Sequence, residues 1–264
     1  MPKDLITFSA IRGARTGNVL FWLAATYAYA LRNNLSIVVP PYDKTLFPEV
    51  HNVLTHTNVP YRISEVGNYL PIRYCNHAVD GHNKPIPSGL RNCCIEGWFQ
   101  NELYFKDYEK EIREAYSNLI SKESKPGQLN IHIRLTDYIK YKGIYRVTSP
   151  VWLCKALNEL DTFHSIKLFS DDIKAATPIF SEAVARSKHA PSRFELIIDD
   201  HKEPLECIKA MTEGDYFIVC NSSFSWWGAW LGNFKKVIAP TPWLNKQGDN
   251  GLNTICNDWV PIEY

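Results

Sequence analysis

The chain lacks what its cysteines would need to build a framework. There are seven, at positions 75, 93, 94, 154, 207, 220 and 256, an odd number with no Cys-x-x-Cys pair and no Cys/His ligand spacing. A complete disulfide scaffold and a structural zinc site are therefore not expected, and reduced thiols in a cytoplasm-like compartment are. Long hydrophobic runs are missing too. The longest, residues 19–31, is shorter than the roughly 20 residues a bilayer requires, and Thr26, Tyr27 and Tyr29 interrupt it. Met1-Pro2-Lys3-Asp4 runs straight into Leu5-Ile6-Thr7-Phe8 without a leader pattern, so a soluble cytoplasmic protein is expected. Charge of one sign is also scarce: 29 basic residues stand against 28 acidic ones. No global field draws the chain to nucleic acid or to an anionic membrane, although a local basic site is compatible with that balance. There is no internal repeat and no low-complexity tract.

What remains is ordinary globular composition, 45% apolar and 22% charged over 264 residues, with room for one large α/β domain or two smaller ones. Aromatics are abundant, with 8 Trp, 14 Tyr and 12 Phe. They suit a surface that stacks on sugars or bases, but core packing is the plainer reading.

Residues 5–9 read as a strand, 11–18 as a glycine-containing turn, 19–32 as a helix apolar on most faces and 35–39 as a second strand. That is a βαβ unit with parallel pairing. Residues 41–95 carry no clear period. From 104 to 120 the spacing of Phe105, Tyr108, Ile112, Ala115, Tyr116 and Leu119 predicts one helix. The polar run at 121–128 is the one linker-like stretch, which separates an N-terminal half (1–122) from a C-terminal half (128–264). Beyond it strands are expected at 129–135, 166–169, 194–198, 216–220 and 237–239. Helices alternate with them at 151–160, 173–186, 205–211 and 226–231. This is a doubly wound parallel sheet, whose ligands sit beyond the carboxyl ends of the strands.

Three polar clusters fall at those ends. In the first, Ile131-His132-Ile133-Arg134-Leu135-Thr136-Asp137-Tyr138, strand periodicity places His132 and Arg134 on one face. A buried Arg demands an anionic partner, either a diphosphate on its planar fork or an internal pair with Asp137. In the second, Phe169-Ser170-Asp171-Asp172, one carboxylate suits a helix N-cap and the other suits a base or ribose. The adjacent aspartates lack the intervening residue of an Asp-x-Asp metal site, so no metal is expected. In the third, Cys220 to Trp230, a strand ends in Asn221, Ser222 and Ser223 before a helix, a geometry suited to phosphate.

Together these clusters resemble the α1,2-fucosyltransferases, glycosyltransferase family 11, within the GDP-fucose-dependent transferases. The family's His-x-Arg-Arg-Gly-Asp-Tyr appears at 132–138, its Phe-Ser-Asp-Asp at 169–172, and its Asn-Ser-Ser-Phe-Ser-Trp-Trp-Gly-Ala-Trp-Leu unchanged at 221–231. Gly97-Trp98-Phe99-Gln100 is similar to its Gly-Tyr-Phe-Gln segment, and Arg15-Thr16-Gly17-Asn18-Val19 to its N-terminal glycine loop. The resemblance implies a GT-B-like fold, two Rossmann-type α/β halves with parallel sheets facing a cleft, the C-terminal half holding the nucleotide and the N-terminal half the acceptor. It implies an inverting, metal-independent transfer of fucose from GDP-fucose to a glycan, at O2 of a terminal galactose or similar sugar, with no cofactor. Arg134 would bind the diphosphate, supported by Asn221, Ser222 and Ser223. His132 with Asp171 or Asp172 would hold guanine. Arg15, Gly17 and Asn18 would line the diphosphate from the other half, and Asp137 or Glu96 would serve as base. Leu135 stands where the family has a second Arg, and Val19 where it has Gln. The rival expectations are a transferase using another sugar nucleotide and a carbohydrate-binding protein without catalysis.

Overall fold

The computed structural model describes residues 4–64, 85–190, 193–245 and 254–264, together with the backbone of 70–73. The chain divides into two compact units, residues 1–119 and 120–264.

The first unit is built on strands β1 (Leu5–Phe8), β2 (Ser36–Val39), β3 (Tyr61–Ile63), β4 (Leu70–Arg73) and β5 (Cys93–Glu96), in the order β3-β2-β1-β5-β4. Every pairing is parallel. Helix α1 (Thr16–Asn33) returns the chain from β1 to β2, and its length is almost wholly buried, including Phe21, Trp22 and Leu23. Asn34 ends it in the left-handed conformation, φ 53°, with its N–H on the Ala30 and Leu31 carbonyls. Helix α2 (Pro48–His56) starts on a proline, whose fixed φ suits a first helical turn. It and β5 lie in the stretch where the sequence showed no period.

Two expectations need correction here. Helix α1 begins at Thr16, so Gly17 and Asn18 occupy its first turn and not a preceding loop. The helix expected over 104–120 is broken into 3₁₀ turns at Glu102–Tyr104, Lys106–Tyr108 and Ser117–Leu119 around a short α3 (Glu109–Ala115). Tertiary packing overrides the helical period. Phe105 adopts φ −143° and ψ 0° while its buried ring meets Phe21 at 6.1 Å, and buried Tyr116 donates its hydroxyl to the Leu20 carbonyl at 2.8 Å.

The second unit holds β6 (Gln128–Ile133), α4 (Thr136–Lys140), α5 (Pro150–Asn158), β7 (Ser165–Ser170), α6 (Ile173–Arg186) and β8 (Glu195–Ile198). After these come α7 (Pro204–Met211), β9 (Tyr216–Ile218), α8 (Ser223–Leu231), β10 (Lys236–Thr241) and β11 (Val260–Glu263). Strand order is β11-β10-β9-β6-β7-β8, again all parallel. Neither α4 nor β11 stands out in the sequence. On β6 the two faces separate by period two. Leu129, Ile131 and Ile133 join a core with Trp152, Leu153 and Leu157 of α5 and Ala176 and Phe180 of α6. Gln128, Asn130 and His132 face the other way, where Gln128 donates to Asn130 and Asn130 in turn donates to the Met211 carbonyl at 3.0 Å, fixing the turn after α7. Gly214 in that turn has φ +94°, and a Cβ there would lie 2.8 Å from the Gln128 carbonyl, so the position requires glycine.

The tryptophan-rich helix α8 is core. Trp226 and Trp227 are fully buried, Trp226 stacks on Trp230 at 6.0 Å, and its indole N–H donates to the Thr254 carbonyl. Gly228 lets α8 approach α7: a Cβ there would come 2.5 Å from Met211 Cβ. The aromatic abundance of this segment therefore serves packing.

Candidate functional site

In each unit the candidate residues gather where the strand order reverses, the position at which open parallel sheets bind ligands. In the first unit that point lies between β1 and β5. The chain leaves β1, turns at Gly13 (φ +78°) and enters α1, with Arg15 as N-cap and Gly17 and Asn18 in the first turn. Gln100 donates to Asn18 Oδ1 at 2.8 Å, tying the segment after β5 to this turn. The Thr16 hydroxyl donates to the Glu49 carboxylate of α2. Tyr42 clamps the loop after β1, accepting from the Ala10 N–H at 3.1 Å and donating to the Phe8 carbonyl at 2.9 Å. Its burial pushes the phenol up to about 12, so it remains a neutral clamp. Glu96 closes β5 beside this turn.

In the second unit the reversal lies between β6 and β9. Strand β6 ends at Ile133, so Arg134 stands one residue past the strand. Two carboxylates hold its guanidinium by the same nitrogen: Nε donates to Asp137 Oδ1 at 2.8 Å and lies 3.1 Å from Asp171 Oδ2. Among the described residues its two Nη groups have no protein partner, so the planar fork is anchored at one end and open at the other. Burial opposes the charge on Arg134, but its hydrogen bond to Asp137 and the charges of Asp171 and Asp137 outweigh it and raise its pKa.

The adjacent aspartates cap two different helices. Asp172 is the N-cap of α6, its Oδ1 accepting from the Ala175 N–H at 3.0 Å. Asp171 reaches across to α4, accepting from the Leu135 N–H at 2.8 Å, the Thr136 N–H at 3.1 Å and the Thr136 hydroxyl. Burial would raise the Asp171 pKa, but these donors and Arg134 lower it overall. Both of its oxygens are thus occupied, whereas Asp172 is exposed and uses only Oδ1 in its cap, so of the two aspartates it is Asp172 whose second oxygen has no bonded partner among the described residues.

His132 is buried, its Nδ1 3.2 Å from Cys220 Sγ and its ring 6.0 Å from that of Phe224. Burial, aided by the Arg134 charge and opposed by Asp171, depresses it to about 3. Burial likewise pushes the Cys220 thiol up to about 12. A neutral imidazole beside a protonated thiol fits S–H donation to Nδ1, which leaves Nε2 as the N–H donor. Cys220 and Tyr138 were not singled out by the sequence reading, yet both shape this edge. The Tyr138 hydroxyl donates to the Asn221 carbonyl at 2.7 Å, and the ring stacks on Tyr145 at 4.4 Å. Asn221 donates its amide to the Trp243 carbonyl at 2.9 Å, while its buried Oδ1 has no partner among the described residues. Ser222 is the N-cap of α8, accepting from the Phe224 N–H, and Ser223 opens the helix half-buried. No cluster of three or more His, Cys, Asp or Glu able to hold a metal ion occurs among the described residues.

A family model described as glycosyl transferase family 11 matches residues 87–263. The alpha-1,2-colitosyltransferase of Escherichia coli is 32% identical over 188 residues, covering 63% of this chain and 61% of that protein. The O-antigen biosynthesis glycosyltransferase WbnK of Escherichia coli is 26% identical over 228 residues, 78% of this chain and 72% of that one. The solved NodZ alpha-1,6-fucosyltransferase soaked with GDP-fucose aligns over 88% of this chain and 93% of its own, with 12% identity and a TM-score of 0.43. POFUT1 in complex with GDP-fucose aligns over 99% and 98%, with 11% identity and a TM-score of 0.43. The matched region carries the Arg134, Asp171 and Asn221–Ser223 clusters, and the chain belongs to glycosyl transferase family 11.

Proposed function

We propose that this protein is an inverting, metal-independent glycosyltransferase that moves L-fucose from GDP-fucose to O2 of a terminal galactose or similar sugar on a glycan. The observation that carries the reading is the Arg134 guanidinium, fixed through Nε by Asp137 and Asp171 while its Nη fork is open among the described residues. Such a fork matches two oxygens of a diphosphate. When the glycosidic bond breaks, negative charge grows on the leaving phosphate, and a cation already held in place stabilises that charge without reorganising. Ser222 and Ser223 at the start of α8 are proposed to support the phosphates with hydroxyl and N–H donors.

Neutral His132 would offer a single N–H to guanine, and of the two aspartates Asp172, whose Oδ2 is outside its cap bond, is the one proposed to accept from the base, since both oxygens of Asp171 are engaged. Asn221 Oδ1, an acceptor, suits a ribose or sugar hydroxyl and not a phosphate. Asp137 serves Arg134 first, which makes it a weak base for the acceptor hydroxyl and turns attention to Glu96. Arg15, Gly17 and Asn18 at the other reversal point are proposed as donor-binding residues, to be tested one by one. The C-terminal unit is proposed to carry the nucleotide and the N-terminal unit the acceptor.

A second donor has an observation in its favour, the identity to the alpha-1,2-colitosyltransferase. Calorimetric titration with GDP-fucose, GDP-colitose, GDP-mannose and UDP-sugars, followed by product analysis with galactose-terminated acceptors, separates the readings. Binding of GDP-sugars with transfer supports the proposal, and the preferred donor names the sugar. Selective binding of UDP-sugars, or glycan binding without any turnover, contradicts it.

A further inference from the structure

The segment that follows Asp137 carries exposed apolar side chains on a firmly held backbone. Ile139 is 55% exposed, Tyr141 47%, Ile144 47% and, at the start of α5, Val151 54%. Looseness does not explain them. Beneath, Tyr138 and Tyr145 stack at 4.4 Å, and Tyr138 is bonded to the Asn221 carbonyl. From the side, Asn245 donates its N–H to the Ile144 carbonyl and its amide to the Lys142 and Tyr145 carbonyls, at 2.8, 2.8 and 3.1 Å. The inward tyrosines pin the loop, and the isoleucines stand outward.

Charge along this stretch is one-sided. Between Asp137 and Glu159 the chain carries Lys140, Lys142, Arg146 and Lys155 and no carboxylate, in a protein whose overall charge is nearly balanced. Lys140 and Lys142 alternate with the outward apolar groups, and Lys140 Nζ lies 5.1 Å from the Tyr141 ring. Apolar side chains set among lysines match a surface that is oily within and anionic at its face.

The geometry points to a docking surface formed by Ile139, Tyr141 and Ile144 with Lys140 and Lys142, whose partner is an anionic phospholipid bilayer. Docking there brings Arg134, at the other end of the short helix α4, to the membrane face, where a lipid-anchored glycan would be met. That last consequence rests on the proposed transferase reading; the docking itself does not.

Co-sedimentation of the full chain with phosphatidylcholine vesicles, with and without phosphatidylglycerol, tests it, alongside GDP titration of each sample. Binding is expected only with phosphatidylglycerol. It should weaken about fivefold for each of Lys140→Gln and Lys142→Gln, and about tenfold for the Ile139→Ser/Ile144→Ser double variant. An unchanged melting temperature and unchanged GDP affinity in these variants show that the fold is intact. Wild-type protein that takes up GDP but ignores anionic vesicles overturns the docking surface alone. Vesicle binding indifferent to these substitutions overturns it too. So does a concentration-dependent dimer abolished by the isoleucine variant, which would make a second copy the occupant. Vesicle binding without GDP uptake would leave the surface standing and remove the transferase reading.

Discussion

Asp171 Oδ2 lies 3.1 Å from Arg134 Nε, and the same carboxylate receives the Leu135 and Thr136 N–H groups. One side chain at the end of β7 therefore holds both the start of α4 and the cation beside it. Asp171→Ala should destabilise the protein by about 1–2 kcal/mol, the cost of a lost cap. It should also lower kcat, because Arg134 loses one of its two anchors. Asp172→Ala should cost similar stability at α6 and leave turnover at saturating donor in the folded fraction near wild type. Chemical denaturation paired with rate measurement separates the two. Equal loss of turnover in both variants would count against a positioning role specific to Asp171.

Acid should expose the same bond. The native Asp171 pKa lies below its unfolded value of about 3.9. Its contribution to stability is therefore complete above that value and is lost as pH falls through the depressed native one. Denaturation curves between neutrality and strong acid should fall less steeply below pH 4 for Asp171→Asn than for wild type. Parallel curves would contradict the account.

His132 also titrates below its reference value, but because burial disfavours its charged form. Its native pKa of about 3 lies below the unfolded value near 6.5, so between the two the unfolded chain binds the extra proton. Stability should therefore decline as pH drops below 6.5, by up to about 1.4 kcal/mol per pH unit from this group. NMR should show an imidazole resonance that does not move between pH 5 and 8. A midpoint in that range would mean that His132 is charged when the nucleotide arrives.

Packing sets another expectation. With Met211 Cβ 2.5 Å from the place a Gly228 Cβ would occupy, Gly228→Ala should force α7 and α8 apart and cost about 1–3 kcal/mol. Thermal unfolding reads this directly. An unchanged melting temperature would show that the contact relaxes freely.

The β1–α1–β2 unit and the parallel sheet of the second unit were legible because buried strands separated by apolar or amphipathic helices leave a strong period, whereas β3, β4 and β5 of the first sheet were not. Helix α6 was placed at its observed ends. The broken 102–119 segment was not, since Phe105 and Tyr116 keep a helical spacing while burying their rings against α1 in ways that need other dihedrals. The position of Arg134 was legible as a strand-end cation needing carboxylates. That Asp171 would reach back 36 residues to meet Leu135 was hidden, because a long-range cap has no local signature. The tyrosine pair 138/145 and the thiol of Cys220 were silent for the same reason: their partners are set by tertiary neighbours.

Chelation gives a simple check on the donor site. With charge stabilisation assigned to Arg134, GDP affinity and transfer should be unchanged by EDTA. Loss of transfer on chelation, restored by Mg²⁺ or Mn²⁺, would reassign that charge to a metal.

The central claim is that the open fork of Arg134 stabilises the departing diphosphate. Arg134→Lys keeps a cation between Asp137 and Asp171 but removes the fork, so kcat and melting temperature measured on that one variant decide the matter. The account predicts kcat lower by about 10²–10³-fold with the melting temperature close to wild type and GDP binding weakened less than turnover. A variant that turns over at near the wild-type rate, or whose loss of rate is matched by a loss of folded protein, would show that Arg134 holds the strand end and nothing more.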